Sequence, residues 1–197
     1  MKFKIVSLFV LCAILISCGT SRQGGKKQRK GTKAQVVLTP EQQRKYDYFF
    51  LEASRLKMKD DYSAAFDLLQ HCLTINPNAS SALYEISQYY MYLKQVPQGQ
   101  AALEKAVEND PDNYWYSQGL ASLYQQQNEM QKATNLLESM ATRFSDRMDP
   151  LYSLLDIYNR LEEYDNVITT LNRLEEKMGK NEQLSMEKFR IYLQKKD

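Results

Sequence analysis

One interval recurs along this chain, and it limits the fold more than any other feature. Tyr90, Tyr124 and Tyr158 lie 34 residues apart, with Leu56 one interval earlier. The same spacing aligns Leu69, Leu103, Leu137 and Leu171, and it aligns the smaller residues Ala65, Gly99, Ala133 and Val167. Pro77 and Pro111 are one interval apart, each between polar residues. A fixed period of this length specifies a stack of similar units, each burying its apolar face against its neighbours, rather than one globular core.

Within each period the pattern is helical. Thr39-Pro40-Glu41 combines a cap residue, a first-turn proline and an acid, which marks a helix start. That helix runs to about Met58, and a second runs from Tyr62 to Ile75, where Asn76-Pro77-Asn78 breaks it. Further helices are expected over 80–93, 97–109, 113–126, 130–144, 148–160 and 164–178, joined in pairs by short polar turns. Glu182 to Lys196 gives one more, its apolar face formed by Leu184, Met186, Phe189, Ile191 and Leu193. No segment alternates as a strand would, and only 7 Gly and 5 Pro interrupt the chain.

These columns resemble the tetratricopeptide repeat, a helix–turn–helix unit of this length. The second unit carries Leu83, Ile86, Tyr90, Gly99, Leu103, Ala106 and Pro111; the third carries Leu120, Ala121, Tyr124, Ala133 and Leu137. The fourth carries Leu154, Tyr158, Val167, Leu171 and Leu174, and the first Ala53, Leu56, Ala65, Leu69, Cys72 and Pro77. The resemblance implies an all-α right-handed solenoid of four helix pairs, about 46–79, 80–113, 114–147 and 148–181, plus a last helix over 182–196, all within a domain spanning 41–197. Tyr192 falls one interval after Tyr158, so the last helix reads as the first half of a fifth unit. It serves either as a cap or as the continuation into a longer array. Departures occur as well: Glu52 stands where later units have Ile86, Leu120 and Leu154, Ser145 replaces the proline of the third unit, and Gly179 replaces that of the fourth.

The N-terminus has a different character. Met1-Lys2-Phe3-Lys4 precedes an apolar run from Ile5 to Ile16, too short to span a bilayer and suited to a secretion signal. It ends in Leu15-Ile16-Ser17-Cys18, which resembles the bacterial lipobox. That resemblance implies a signal peptide over 1–17, cleavage before Cys18, and lipidation (palmitate among the chains) of its thiol. Each buried methylene of such a chain contributes about 0.8 kcal/mol, so two or three chains hold a protein on a membrane. Residues 18–40 then read as a tether, rich in Gly, Ser and Thr, spanning about 25 Å as a flexible coil. Arg22, Lys26, Lys27, Arg29, Lys30 and Lys33 make it basic, whereas from Glu41 onward 18 Lys/Arg face 24 Asp/Glu. The cations either touch anionic lipid head groups or keep a solvated spacer extended. They lack interleaved aromatics, which argues against nucleic acid as a partner. Lipoproteins of the Bacteroidota resemble this layout, and the absence of acids just after Cys18 implies a periplasm-facing anchor in the outer membrane.

In the tetratricopeptide fold the first helix of each pair lines a concave groove. The resemblance carries Phe50, Tyr84, Gln88, Tyr92, Trp115, Gln118, Ser122, Tyr152, Asp156 and Arg160 onto that face, together with Lys57, Met58, Gln126 and Asn159. Aromatics with amides between them suit an extended peptide of a protein partner. Phe50 and Ser54 occupy columns where the family's clamp for a C-terminal carboxylate needs Lys and Asn, so that ligand is not expected. Reactive chemistry is not expected either. His71 and Cys72 are adjacent on a helix and point about 100° apart, no metal-ligand spacing or phosphate loop occurs, and no cofactor is implied. Asn78-Ala79-Ser80 reads as a turn plus helix cap. The expected function is therefore a non-catalytic, membrane-anchored protein-binding scaffold of the cell envelope. A glycan-binding lipoprotein of a nutrient-uptake system and a purely structural subunit of an envelope complex are the other readings.

Overall fold

The computed structural model describes residues 37–195. The expected signal peptide over 1–17, Cys18 and the cations from Arg22 to Lys33 lie outside the described residues. Among the described residues the chain forms nine α-helices and no strand. They are α1 (Pro40–Lys57), α2 (Tyr62–Ile75), α3 (Ser80–Tyr92), α4 (Val96–Asn109), α5 (Tyr114–Gln126), α6 (Met130–Arg143), α7 (Asp149–Arg160), α8 (Tyr164–Met178) and α9 (Glu182–Gln194). Each helix packs on its neighbours in the chain, giving the antiparallel pairs and successive stacking of a helical repeat.

The helix starts follow from local chemistry. Thr39 Oγ1 accepts from the Gln42 N–H at 3.2 Å while Gln42 Oε1 accepts from the Thr39 N–H at 2.9 Å, a reciprocal cap. Asp61, Asn113 and Asn181 cap α2, α5 and α9 through their side chains. At α3 the structure departs from the sequence expectation: Ser80 is already inside the helix, and Ala79 occupies the cap position without a side-chain bond. The turn before it is held instead by Asn76, whose Oδ1 accepts from the Asn78 N–H at 3.1 Å.

The four turns inside the helix pairs share one geometry. Asp60, Lys94, Asn128 and Glu162 all take positive φ, between 57° and 61°, and they are spaced by the repeat interval. The next residue in each turn donates its N–H five residues back, to the carbonyl of Leu56, Tyr90, Tyr124 or Tyr158, at 2.8–3.0 Å. The positive-φ residue itself donates three residues back, at 3.1–3.2 Å. This paired closure satisfies carbonyls that the helix end would otherwise leave open. The backbone carbonyl at the Leu/Tyr column position is thus the acceptor that closes the turn of every unit.

The repeat columns form the core. Leu69, Leu103, Leu137 and Leu171 are all buried, as are Ala65, Gly99, Ala133 and Val167 at the helix–helix contact within each pair. A Cβ added at Gly99 would lie 2.6 Å from Met91 Cε and 3.1 Å from the Ser87 carbonyl, so glycine admits the close approach of α3 and α4. Cys72 is fully buried among these residues and His71 is exposed, as their directions on the helix require. Two Tyr–Glu pairs repeat at the same interval: Tyr124 Oη donates to Glu104 Oε1 at 2.8 Å, and Tyr158 Oη to Glu138 Oε1 at 3.3 Å. At the far end Ile191 is buried against the stack and Lys188 Nζ bonds Glu175 at 2.6 Å, tying α9 to α8. Tyr192 is 51% exposed because no second helix of its unit covers it among the described residues. Glu52 is half-buried and paired with Arg55 on the outer turn of α1, so its charge is met locally.

Candidate functional site

The face of interest is built by α1, α3, α5 and α7. On α3, Tyr84, Gln88 and Tyr92 stand at four-residue steps and share one side of the helix. Trp115, Gln118 and Ser122 share one side of α5 at steps of three and four, and Tyr152, Asp156 and Arg160 share one side of α7 at four-residue steps. The opposite sides of these helices carry the buried columns, so the fold leaves this side chain set toward solvent.

The set divides into engaged and open residues. Phe50 is half-buried and stacks on Tyr46, with ring centroids 5.9 Å apart. Tyr84 is half-buried and stacks on Tyr116 at 4.8 Å, closing the gap between α3 and α5 above Gly119. Tyr84 thus acts as a wall between units, whereas Phe50 stacks within α1. Tyr92, Trp115 and Tyr152 remain 80%, 61% and 48% exposed. Gln88, Gln118 and Ser122 are exposed beside them. Asp156 and Arg160 are both exposed and form an ion pair at 3.4 Å, so they answer each other's charge. Tyr152 Oη donates to Met178 Sδ at 3.4 Å.

Two groups of contributors come from outside the expected columns. The Arg147 guanidinium lies 3.9 Å from the centre of the Tyr114 ring and 5.4 Å from that of Trp115. It orients the indole from the side while Asp149 takes its charge at 3.6 Å. A cleft of about 310 Å³ lies where the end of α1, the start of α2 and the last turns of α3 meet. Lys57, Gln88 and Tyr92 line it, together with Tyr62 and Tyr89. Lys57 Nζ bonds Glu85 Oε2 at 2.8 Å, and that bond raises the lysine's pKa against the opposing effect of partial burial. Tyr62 donates to Asp60 Oδ1 at 2.7 Å, which pushes its phenol up. Burial pushes the Tyr89 phenol up as well, so it stays protonated at neutral pH. Sequence spacing holds a signal for Tyr89, which follows Ile86 by three residues and so falls on the buried arc of α3. No such signal marks the partnership of Tyr62 with it.

Among the described residues no cluster of His, Cys, Asp and Glu could hold a metal ion. No helix among them is long and apolar enough to cross a membrane.

Residues 80–113 match the family model for the tetratricopeptide repeat. No curated protein matches the chain. Solved structures do resemble it at low identity. A crystal structure of MamA protein superposes with a TM-score of 0.57 at 19% identity, over 68% of this chain and 73% of that one. A tetratricopeptide repeat protein from Parabacteroides merdae gives 0.60 at 16% identity, over 73% of this chain and 57% of that one, so the present chain spans little more than half its length. YrrB, described as a tetratricopeptide repeat protein with an unusual peptide-binding site, gives 0.57 at 13% identity over 75% of this chain and 76% of its own. Together these likenesses show that the fold is the all-α helical repeat of the tetratricopeptide type.

Proposed function

We propose that this protein is a non-catalytic scaffold that binds an extended segment of a protein partner along the face formed by α1, α3, α5 and α7. The observation that carries the reading is the set Tyr92, Trp115 and Tyr152. These are three large aromatic side chains on corresponding faces of successive odd-numbered helices, each left substantially exposed while the Leu69 and Ala65 repeat columns are buried. Exposed aromatics flanked by amides supply contact area and backbone hydrogen bonds at low entropic cost. The peptide-binding site of YrrB, a protein of the same fold, supports this choice of ligand class.

The proposal extends to place. Lipidation of Cys18 holds the scaffold on the bacterial outer membrane, facing the periplasm. The cations Arg22, Lys26, Lys27, Arg29, Lys30 and Lys33 lie between anchor and repeats, where anionic head groups are within their reach. The motifs of the leader support this part of the reading.

A capture experiment from cell envelopes tests the groove. The variant Tyr92→Ala/Trp115→Ala/Tyr152→Ala removes only exposed rings, so the fold is retained while partner recovery falls at least tenfold. Unchanged recovery would exclude this face. Anchoring has a separate test: metabolic labelling with radioactive palmitate marks the wild type and leaves Cys18→Ala unlabelled. Label retained by the variant would refute lipidation at that residue.

A further inference from the structure

The cleft at the ends of α1 and α3 has a composition that specifies more than general stickiness. Its walls are the rings of Tyr62, Tyr89 and Tyr92, with Lys57 and Gln88 at the polar edge. Tyr62 and Tyr89 stand 6.4 Å apart at 60°, and Phe66 backs Tyr89 at 5.9 Å. Lys57 is neutralised by Glu85 at 2.8 Å. The cleft therefore offers no spare charge to an acidic group.

Tyr89 is the telling residue. It is only 8% exposed, and its hydroxyl has no hydrogen-bond partner among the described residues. Buried hydroxyls are nearly always paired, and leaving one unpaired is costly. The side chains beside it differ in freedom. Tyr89 is held between Phe66 and Tyr62 and Lys57 is held by Glu85, whereas Tyr92, which lines the same cleft, is 80% exposed and free to move.

We propose that this cleft receives one tyrosine or tryptophan side chain of the partner segment, its ring lying between Tyr62 and Tyr92 and its polar edge hydrogen-bonded to the Tyr89 hydroxyl. The inference rests on reading the α3 face as the partner surface. A volume of about 310 Å³ accommodates a single bulky ring. Tyr62 and Phe66 already meet Tyr89 in tilted ring contacts, the geometry an added ring also favours. The neutral phenol of Tyr89 donates to a tyrosine oxygen or accepts from an indole N–H. An aliphatic or phenylalanine side chain would fill the same space and leave the hydroxyl unpaired, so the site discriminates against it.

Single-residue probes test this with the full chain in detergent micelles, observed by 15N NMR. N-acetyl-tyrosinamide and N-acetyl-tryptophanamide shift the backbone amides of Tyr62, Gln88, Tyr89 and Tyr92. They bind about three- to tenfold more tightly than N-acetyl-phenylalaninamide, the ratio expected of one neutral hydrogen bond. Tyr89→Phe keeps the ring and the fold, as its remaining spectrum verifies, and it abolishes that preference. Equal binding of the tyrosine and phenylalanine amides to the wild type would overturn the proposal. So would a preference that survives Tyr89→Phe, shifts produced by methyl glucoside alone, or no shifts at these amides. The probes report on the cleft whether or not the groove captures a protein. Failure here is therefore separate from failure of the Tyr92, Trp115 and Tyr152 capture test.

Discussion

Tyr89 and Cys72 show how single buried groups translate into measurable behaviour. The Tyr89 hydroxyl has no hydrogen-bond partner among the described residues, so removing it is expected to relieve a desolvation cost. Tyr89→Phe is expected to stabilise the chain by about 1 kcal/mol in urea unfolding, opposite in sign to most core changes. A loss of stability would mean that the hydroxyl is bonded in solution. Cys72 is fully buried, and burial pushes its thiol up to about 11. The folded state therefore favours the neutral thiol, and the sign of the linkage follows. Its contribution is fully present below the thiol's ordinary pKa and is lost as pH rises toward 11. At pH 8 Cys72 is expected to resist alkylation in the folded protein and to react in guanidinium, as mapped by mass spectrometry of its peptide. Rapid labelling without denaturant would contradict the packing described. The burial of Cys72 was legible from its place in an apolar column with Ala106, Met140 and Leu174. The orphan hydroxyl was not, because pairing depends on what neighbouring helices bring near.

At the scale of the elements, the helices were legible nearly to their ends, since caps, prolines and apolar columns act locally. The turns were only half legible. Lys94-Gln95, Asn128-Glu129 and Glu162-Glu163 read as polar punctuation, yet each hides a left-handed residue, and of the four turn positions only Asp60 and Asn128 belong to types that favour it. A lysine or glutamate there stores backbone strain because the two hydrogen bonds of the turn over-determine the geometry. Lys94→Gly is expected to stabilise by about 0.5 kcal/mol, the relief of the left-handed cost less the entropy of a freer unfolded chain. Lys94→Val, β-branched at positive φ, is expected to destabilise by about 1 kcal/mol or more. Thermal unfolding of the pair measures both, and equal melting temperatures would show that the turn is not strained. Gly179 is the case where sequence and structure agree: its φ of 81° and ψ of 169° form a conformation that glycine alone adopts readily, and it ends α8.

For the molecule as a whole, the period alone yielded the fold class, because stacked units can bury their columns only against one another. Which of the groove-column side chains the fold leaves exposed was legible in part. Columns carried over by resemblance located Tyr92, Trp115 and Tyr152, which the fold leaves exposed, and also Phe50, which stacks within α1, and Tyr84, which pairs across to α5. The Phe50 pairing follows the four-residue spacing from Tyr46, whereas no spacing rule carries the pairing of Tyr84 with Tyr116 on another helix. The central claim is that a protein partner lies along α1, α3, α5 and α7, and position-resolved crosslinking in living cells tests it most directly. A photoreactive amino acid is placed in turn at Gln88, Gln118 and Asp156 on that face, and at Asp67, Thr142 and Asn172 on the exposed sides of α2, α6 and α8. The account predicts the same crosslinked partner from all three positions of the first set and none from the second. Crosslinks confined to Asp67, Thr142 and Asn172 would contradict it and move the interface to the outer helices.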